Sequence, residues 1–214
     1  MKRQSLIFEI IIFLLILIFL IIPPFFNSKI TDITTLFKWS FPYRQTGLCI
    51  FVCVLYFLSS KLNEQDNKKK IFYPSLIALS LMLFTALIIK LITKNTFRTM
   101  KDILPQSGSE WAFCLLTFAF SAIYEEILYR FYFSDALKHL VTHFTSSNEK
   151  LIFWLCETAG LLVFAFAHFY LGVCAVINAL VAHVVLRFLY KKTNLIWNCI
   201  LIHFIYNIIS LILL

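Results

Sequence analysis

The stretch Trp111–Arg130 reads WAFCLLTFAFSAIYEEILYR and carries two adjacent glutamates and an arginine in a largely apolar run. About 20 mostly apolar residues are enough for a helix to cross the hydrocarbon core of a bilayer. Ionisable groups at that depth are costly, and they usually face the interior of a helix bundle, where they are paired or functional. The stretch therefore predicts a membrane-spanning helix with a polar site on one side.

Apolar runs also fill most of the chain on either side of this stretch. Hydrophobic residues make up 61% of the 214 residues and charged residues 14%, whereas a soluble domain has about 45–50% and about 25%. We therefore expect an all-α fold, a polytopic transmembrane helix bundle of about seven spans. The predicted spans are Leu6–Ile22, Gly47–Ser60, Ile71–Ile92, Trp111–Leu137, Leu151–His168, Leu171–Tyr190 and Leu195–Leu214.

The spans are expected to form one integral membrane domain with two parts. Residues 1–110 hold the N-terminal transmembrane helices and loops. Residues 111–214 hold the last four spans, a helical core that contains the polar site. The six cysteines lie inside apolar runs and form no CxxC pair, so we expect small buried hydrophobic side chains rather than disulfides or a zinc framework.

The net charge of +8 comes mainly from basic residues in short loops between apolar runs. Such loops set the topology and contact anionic lipid headgroups, so nucleic acid is not the expected partner. Their distribution favours a cytoplasmic N-terminus in the cell inner membrane. Pro23-Pro24 follows the first run where a cleavage site would need small residues, so the first helix is expected to be retained. The Ile-, Phe-, Lys- and Asn-rich composition suggests a bacterial source.

Helical spacing gives the two glutamates different neighbours. Glu126 and Arg130 are four residues apart in the favourable order, so they can form an ion pair. Glu125 points about 100° away and has no such partner on its own helix. One carboxylate is thus expected to be structural and the other to be available for chemistry. The alternative is a purely structural charge cluster that holds helices together.

Three further polar residues lie on other predicted spans. His168 ends the fifth span, and His203 and Asn207 share one face of the seventh. In a dry interior a carboxylate, two imidazoles and a carboxamide need one another as partners. Glu125 and His168 could activate a water as general base, while His203 and Asn207 could donate hydrogen bonds to an oxyanion. This set fits amide hydrolysis without a covalent intermediate.

The motifs Glu125-Glu126-x-x-x-Arg130, Phe164-x-x-x-His168 and His203-x-x-x-Asn207, in this order, resemble the CPBP family. That family comprises CAAX prenyl endopeptidases, bacteriocin-processing and abortive-infection proteins, and lysostaphin-resistance-like proteins. The resemblance covers residues 111–214. It implies a glutamate-dependent intramembrane endopeptidase that acts on a membrane-anchored protein or peptide. Glu125, His168, His203 and Asn207 would then be catalytic, with Glu126 and Arg130 in support.

No cofactor is expected, although a zinc ion held by Glu125, His168 and His203 is an alternative. Two other functions compete with the protease. One is a non-catalytic membrane protein, such as a bacteriocin-immunity protein or scaffold, and the other is a small transporter or proton relay. The sequence does not distinguish a prenylated CAAX tail from other membrane-anchored substrates.

Other polar residues are expected to lie outside the site. His139 and His143 are predicted in a polar loop after the fourth span, as surface histidines. Arg187 is predicted to extend towards the cytoplasm beside Lys191 and Lys192. His183, on the same face as Arg187, is either packed or a partner of the site residues.

Overall fold

The computed structural model describes residues 3–26, 39–60, 71–93, 104–145 and 148–213, and it contains no strand within them. The all-α prediction is therefore confirmed. Two π-helical stretches occur, Leu17–Ile21 and Glu126–Phe133, and the second is called the π segment below. The α-helices are α1 (Arg3–Ile16), α2 (Tyr43–Ser60), α3 (Phe72–Thr93), α4 (Gly108–Glu125), α5 (Ser134–Phe144), α6 (Glu149–Phe166), α7 (Val173–Thr193) and α8 (Ile196–Leu213).

Among the described residues, six helical stretches are long and apolar enough to cross a membrane, and the protein is a multi-pass membrane protein. A shorter apolar helix, Tyr43–Phe57, coincides with the second predicted span, which brings the total close to the seven expected. The six stretches are Leu6–Phe26, Phe72–Thr93, Gly108–Phe144, Glu149–Leu171, Val173–Thr193 and Ile196–Leu213.

The fourth predicted span, Trp111–Leu137, is longer in the structure, where the helical stretch runs for 37 residues from Gly108 to Phe144. It begins at Ser107, whose side chain accepts from the Glu110 amide at 3.2 Å. Glu110 in turn accepts from the Gln106 amide at 2.6 Å, which satisfies a second free amide near the helix N-terminus. No proline or glycine follows before Gly160 to end the helix.

The prediction that His139 and His143 lie in a loop is wrong, since both belong to α5. The polar residues that follow the apolar stretch predict the end of the helix, but in the structure they form the polar face of an amphipathic helix. The fifth and sixth spans are joined between Phe166 and Val173 by a short connection that contains a 3₁₀ helix, Phe169–Leu171. Gly172 lies in this connection with φ of 97°, a backbone conformation that glycine adopts without strain.

The chain divides into two compact units. The first unit consists of Met1–Ile30 with Phe133–Leu180, and the second of Thr31–Tyr132 with Val181–Leu214. Of the predicted site residues, His168 belongs to the first unit and the other five to the second. The predicted division of the chain at residue 110 stays a prediction.

Within the second unit, α3 and α8 are parallel neighbours. Asn198, near the start of α8, hydrogen-bonds the Ser75 hydroxyl near the start of α3 at 2.9 Å. At the other end the Lys90 ammonium donates to the Leu213 carbonyl at 2.9 Å. Helix α4 packs against both α2 and α8. The helix that carries His203 is thus held along its length, and two parallel helices cross a membrane in the same direction.

Within the first unit, close packing joins α5 to α6. A Cβ atom added at Gly160 would lie 2.3 Å from the Ser134 hydroxyl oxygen, so a side chain at this position would force the Ser134 hydroxyl to move. Phe13 of α1 stacks on Phe133 with ring centroids 5.7 Å apart. At an exposed position, the His139 imidazole lies 3.2 Å from the Glu9 carboxylate.

The cysteine prediction holds for most positions. All six cysteines are free, and Cys49, Cys114, Cys156 and Cys199 are buried. Cys53 is partly buried and Cys174 is exposed.

Candidate active site

The ion pair expected from the spacing of Glu126 and Arg130 is present. Glu126 Oε1 and Arg130 Nη1 are 2.6 Å apart, and neither side chain has any exposed surface. Each charge is therefore removed from solvent. In the interior, a close partner of opposite charge is needed to offset the free-energy cost of desolvation.

His203 lies between the two glutamates. Its Nδ1 donates to Glu126 Oε1 at 2.6 Å, and its Nε2 is 3.9 Å from Glu125 Oε2. The second distance is too long for a direct hydrogen bond. The imidazole side chain is 10% exposed and that of Glu125 is 21% exposed, whereas Glu126 is fully buried. Glu126 thus orients the imidazole, and the more accessible Glu125 faces its other nitrogen.

The two glutamates also lie on either side of a change in helix type. Glu125 is the last residue of α4 and Glu126 is the first of the π segment. A π-helical turn pairs main-chain groups five residues apart and occurs frequently at functional sites. The sequence predicted a regular α-helix here. The π segment contains Glu126 and Arg130, and thus the whole ion pair.

The prediction that Arg187 extends towards the cytoplasm is wrong. Arg187 is 6% exposed, and its Nη1 donates to the main-chain carbonyl oxygen of Arg130, inside the π segment. His183, one turn earlier on α7, is 2% exposed and interacts electrostatically with both guanidinium groups. The prediction was wrong because it considered only the neighbouring lysines of the same helix, whereas a carbonyl acceptor from another helix is available inside the bundle.

A sequence signal for the position of Arg187 does exist. The small residues Ala175 and Ala179 begin a four-residue spacing that His183 and Arg187 continue, and the last three of these residues are buried. Small residues at such spacing mark helix faces that pack closely on other helices in membranes. This face of α7 could have been assigned to the protein interior on that ground.

Asn207 follows His203 by one turn on α8 and is partly buried. The four-residue spacing puts its carboxamide on the same face of the helix as the imidazole. Its role as an oxyanion donor stays a prediction.

His168 lies just beyond the C-terminal end of α6, in the turn before Gly172. Its Nδ1 is 2.9 Å from the Phe164 carbonyl oxygen, and the two rings are 4.9 Å apart. A carbonyl can only accept, so Nδ1 carries the hydrogen, and Nε2 of the neutral ring can accept a proton. That tautomer suits a base. The approach of His168 to Glu125 stays a prediction.

Among the described residues, no group of three or more His, Cys, Asp or Glu side chains is arranged to hold a metal ion. That no cofactor is needed stays a prediction.

Part of this chain is similar to a known protein family. A sequence model of the family described as type II CAAX prenyl endopeptidase Rce1-like matches residues 107–209. No curated protein and no solved structure matches the chain at a significant level. The helical region 107–209 belongs to this family. The match begins at the Ser107 cap of α4 and ends just after Asn207, so the CAAX-protease region includes all six predicted site residues.

Proposed function

We propose that this protein is an intramembrane endopeptidase that hydrolyses a peptide bond of a membrane-anchored protein or peptide. It would act in the cytoplasmic membrane with its N-terminus in the cytoplasm. The observation that supports the proposal best is the position of His203, with one nitrogen on buried Glu126 and the other facing Glu125. The match to the CAAX-protease family supports the reaction class.

In the proposed reaction, Glu125 and His168 activate a water that attacks the carbonyl carbon of the scissile bond. The carboxylate takes one proton from the water as the C–O bond forms. It delivers that proton to the leaving amine when the C–N bond of the tetrahedral intermediate breaks. The nucleophile is water, and no acyl-enzyme is needed. The mechanism uses no metal or other cofactor.

His203 and Asn207 are proposed to stabilise the oxyanion of the tetrahedral intermediate. Because Nδ1 of His203 is bound to Glu126, only Nε2 can donate to the substrate, and it does so in the doubly protonated ring. That form has a charge opposite to both glutamates. Glu126 and Arg130 hold the ring in place and do not touch the substrate.

The substrate class follows from the bilayer and the family together. A site formed by membrane helices meets a peptide bond close to a membrane anchor, and the family name points to a CAAX-type C-terminus. The anchor is left open, because an acyl, prenyl or transmembrane anchor would each bring a peptide to the site. A scaffold without catalytic activity is the competing function.

The test uses Glu125→Gln, which nearly preserves size but removes the base. Purified protein in lipid nanodiscs is assayed, in buffer containing a metal chelator, on two quenched-fluorescent CAAX peptides, with and without a farnesyl group. Loss of the base should lower kcat by about 10²–10⁴-fold. The control is Glu157→Gln, which removes another partly buried glutamate, on α6, and should leave kcat unchanged.

A parallel experiment does not assume a substrate. Membrane and secreted proteins are compared by proteomics between cells that express the wild type and cells that express Glu125→Gln at equal abundance. Shortened products that require Glu125 would identify natural substrates. If neither peptide is cleaved and no protein changes length, the protease proposal fails and the result favours a scaffold without catalytic activity.

A further inference from the structure

Arg187 on α7 is a buried charge that the proposed reaction does not use. Its guanidinium donates to the main-chain carbonyl of Arg130, 57 positions away in the chain. The Tyr190 ring lies 5.7 Å from the guanidinium carbon and covers it on one side. A side chain as long and as strongly hydrated as arginine is buried only where a specific partner holds it.

The acceptor lies where the main chain departs from α-helical pairing. In the π segment the carbonyl groups pair with amides five residues on, a conformation that is rare and stays in place only where tertiary contacts support it. A charged donor on one of these carbonyls supplies such a contact, and charge-assisted hydrogen bonds are about twice as strong as neutral ones. Arg187 therefore fixes the main chain at Arg130.

From this carbonyl a chain of contacts leads to both glutamates. Arg130 pairs with Glu126 at 2.6 Å, Glu126 accepts from His203, and the other nitrogen of His203 faces Glu125. Every member of the chain lies in the second unit. A shift of the Arg130 main chain moves each following contact, and a displacement of about 1 Å at reacting groups can cost about 100-fold in rate.

We propose that Arg187 is a positioning residue for the protease reaction. By holding the Arg130 carbonyl it sets the course of the π segment, and thereby the placement of His203 relative to Glu125. This inference rests on the proposed function. Arg187 touches neither water nor substrate, so its loss should change kcat and leave KM unchanged.

The experiment compares Arg187→Met, Arg187→Lys and Lys192→Met in nanodiscs with the farnesylated quenched-fluorescent peptide. Methionine keeps the length of the side chain but has no donor, and should lower kcat by about 10- to 100-fold with KM within about twofold of wild type. Lysine keeps the charge but lacks the forked donor geometry of the guanidinium, so it should recover kcat only in part, to about two- to tenfold below wild type. Lys192→Met removes an exposed charge from the same helix and should match wild type.

Each outcome either supports or overturns the positioning role of Arg187. Wild-type kcat in folded Arg187→Met, or a loss that lies in KM, overturns the proposal. If Arg187→Met does not accumulate in the membrane, Arg187→Lys decides, since a lowered kcat at unchanged KM supports positioning and a wild-type kcat overturns it. If neither variant accumulates, Arg187 serves folding alone and the proposal is wrong. If wild type and Glu125→Gln are equally inactive, the proposed function itself fails.

Discussion

The two units of this protein use polar residues in opposite ways. In the second unit a group of charged side chains lies inside, where Glu126, Arg130 and Arg187 have almost no exposed surface. In the first unit the core contact is a close approach of two helices at Gly160, and the ion pair of His139 with Glu9 lies at an exposed position. Both units contain long apolar helices.

The difference shows where a membrane protein accepts the cost of burying charge. Close packing drives the association of helices in lipid, and the first unit shows contacts of this kind at Gly160 and between Phe13 and Phe133. Charges inside the second unit are therefore not required to make helices associate. We propose that they are buried because they hold His203 Nε2 close to Glu125 Oε2, at 3.9 Å.

The largest effect is expected when one partner of the buried ion pair is removed. Arg130→Met leaves the Glu126 carboxylate in the interior without its counter-charge, which typically destabilises by about 3–5 kcal/mol. We expect the variant to unfold at markedly lower temperature in detergent, or to be lost from the membrane. Thermal unfolding followed by size-exclusion chromatography measures the difference.

The double variant Glu126→Gln with Arg130→Met is the control for this effect. It removes both charges and leaves the glutamine carbonyl to accept from His203, so it should be more stable than Arg130→Met alone. A double variant that is no more stable than the single one would show that the charge is not what destabilises. Its kcat should still be low, because the imidazole is held less firmly.

How much of this arrangement the sequence reveals depends on the range of the interaction. The Glu126–Arg130 pair follows from local helical spacing, and it was predicted correctly. The apolar spans follow from composition over about 20 residues, and they were predicted to within a few residues except at the end of the fourth. These features require no knowledge of the neighbouring helices.

The features that the sequence did not predict depend on contacts between distant segments. The π segment has no simple residue preference, and it is accompanied by a carbonyl contact with Arg187, 57 residues beyond Arg130. The burial of Arg187 depends on the same contact, while its own neighbours in sequence, Lys191 and Lys192, suggested solvent. The hydrogen bond between His203 and Glu126 could not be predicted for the same reason, because it joins two helices that are distant in sequence.

An intermediate effect is expected at Gly160 of the first unit. Gly160→Ala would place a Cβ atom 2.3 Å from the Ser134 hydroxyl oxygen, and overpacking of this kind costs about 1–3 kcal/mol. Ser134→Ala removes the obstructing atom, so the double variant should recover most of the loss. The melting temperatures of the single and double variants test this.

The control is Gly47→Ala on α2, where an added Cβ atom meets nothing within 4 Å. Alanine has the higher helix propensity, so this change should be neutral or slightly stabilising. Equal effects of alanine at both glycines would mean that α5 and α6 are not in close contact.

The smallest effect is expected at the exposed pair of His139 and Glu9. Ion pairs at exposed positions contribute about 0–1 kcal/mol, because water solvates both partners and salt screens them. Glu9→Gln should therefore leave the melting temperature nearly unchanged, and the cycle with His139→Gln should show a small coupling energy that decreases further at high salt. A coupling as large as that of Glu126 with Arg130 would contradict the contrast between the units, since an exposed ion pair would then stabilise the fold as strongly as a buried one.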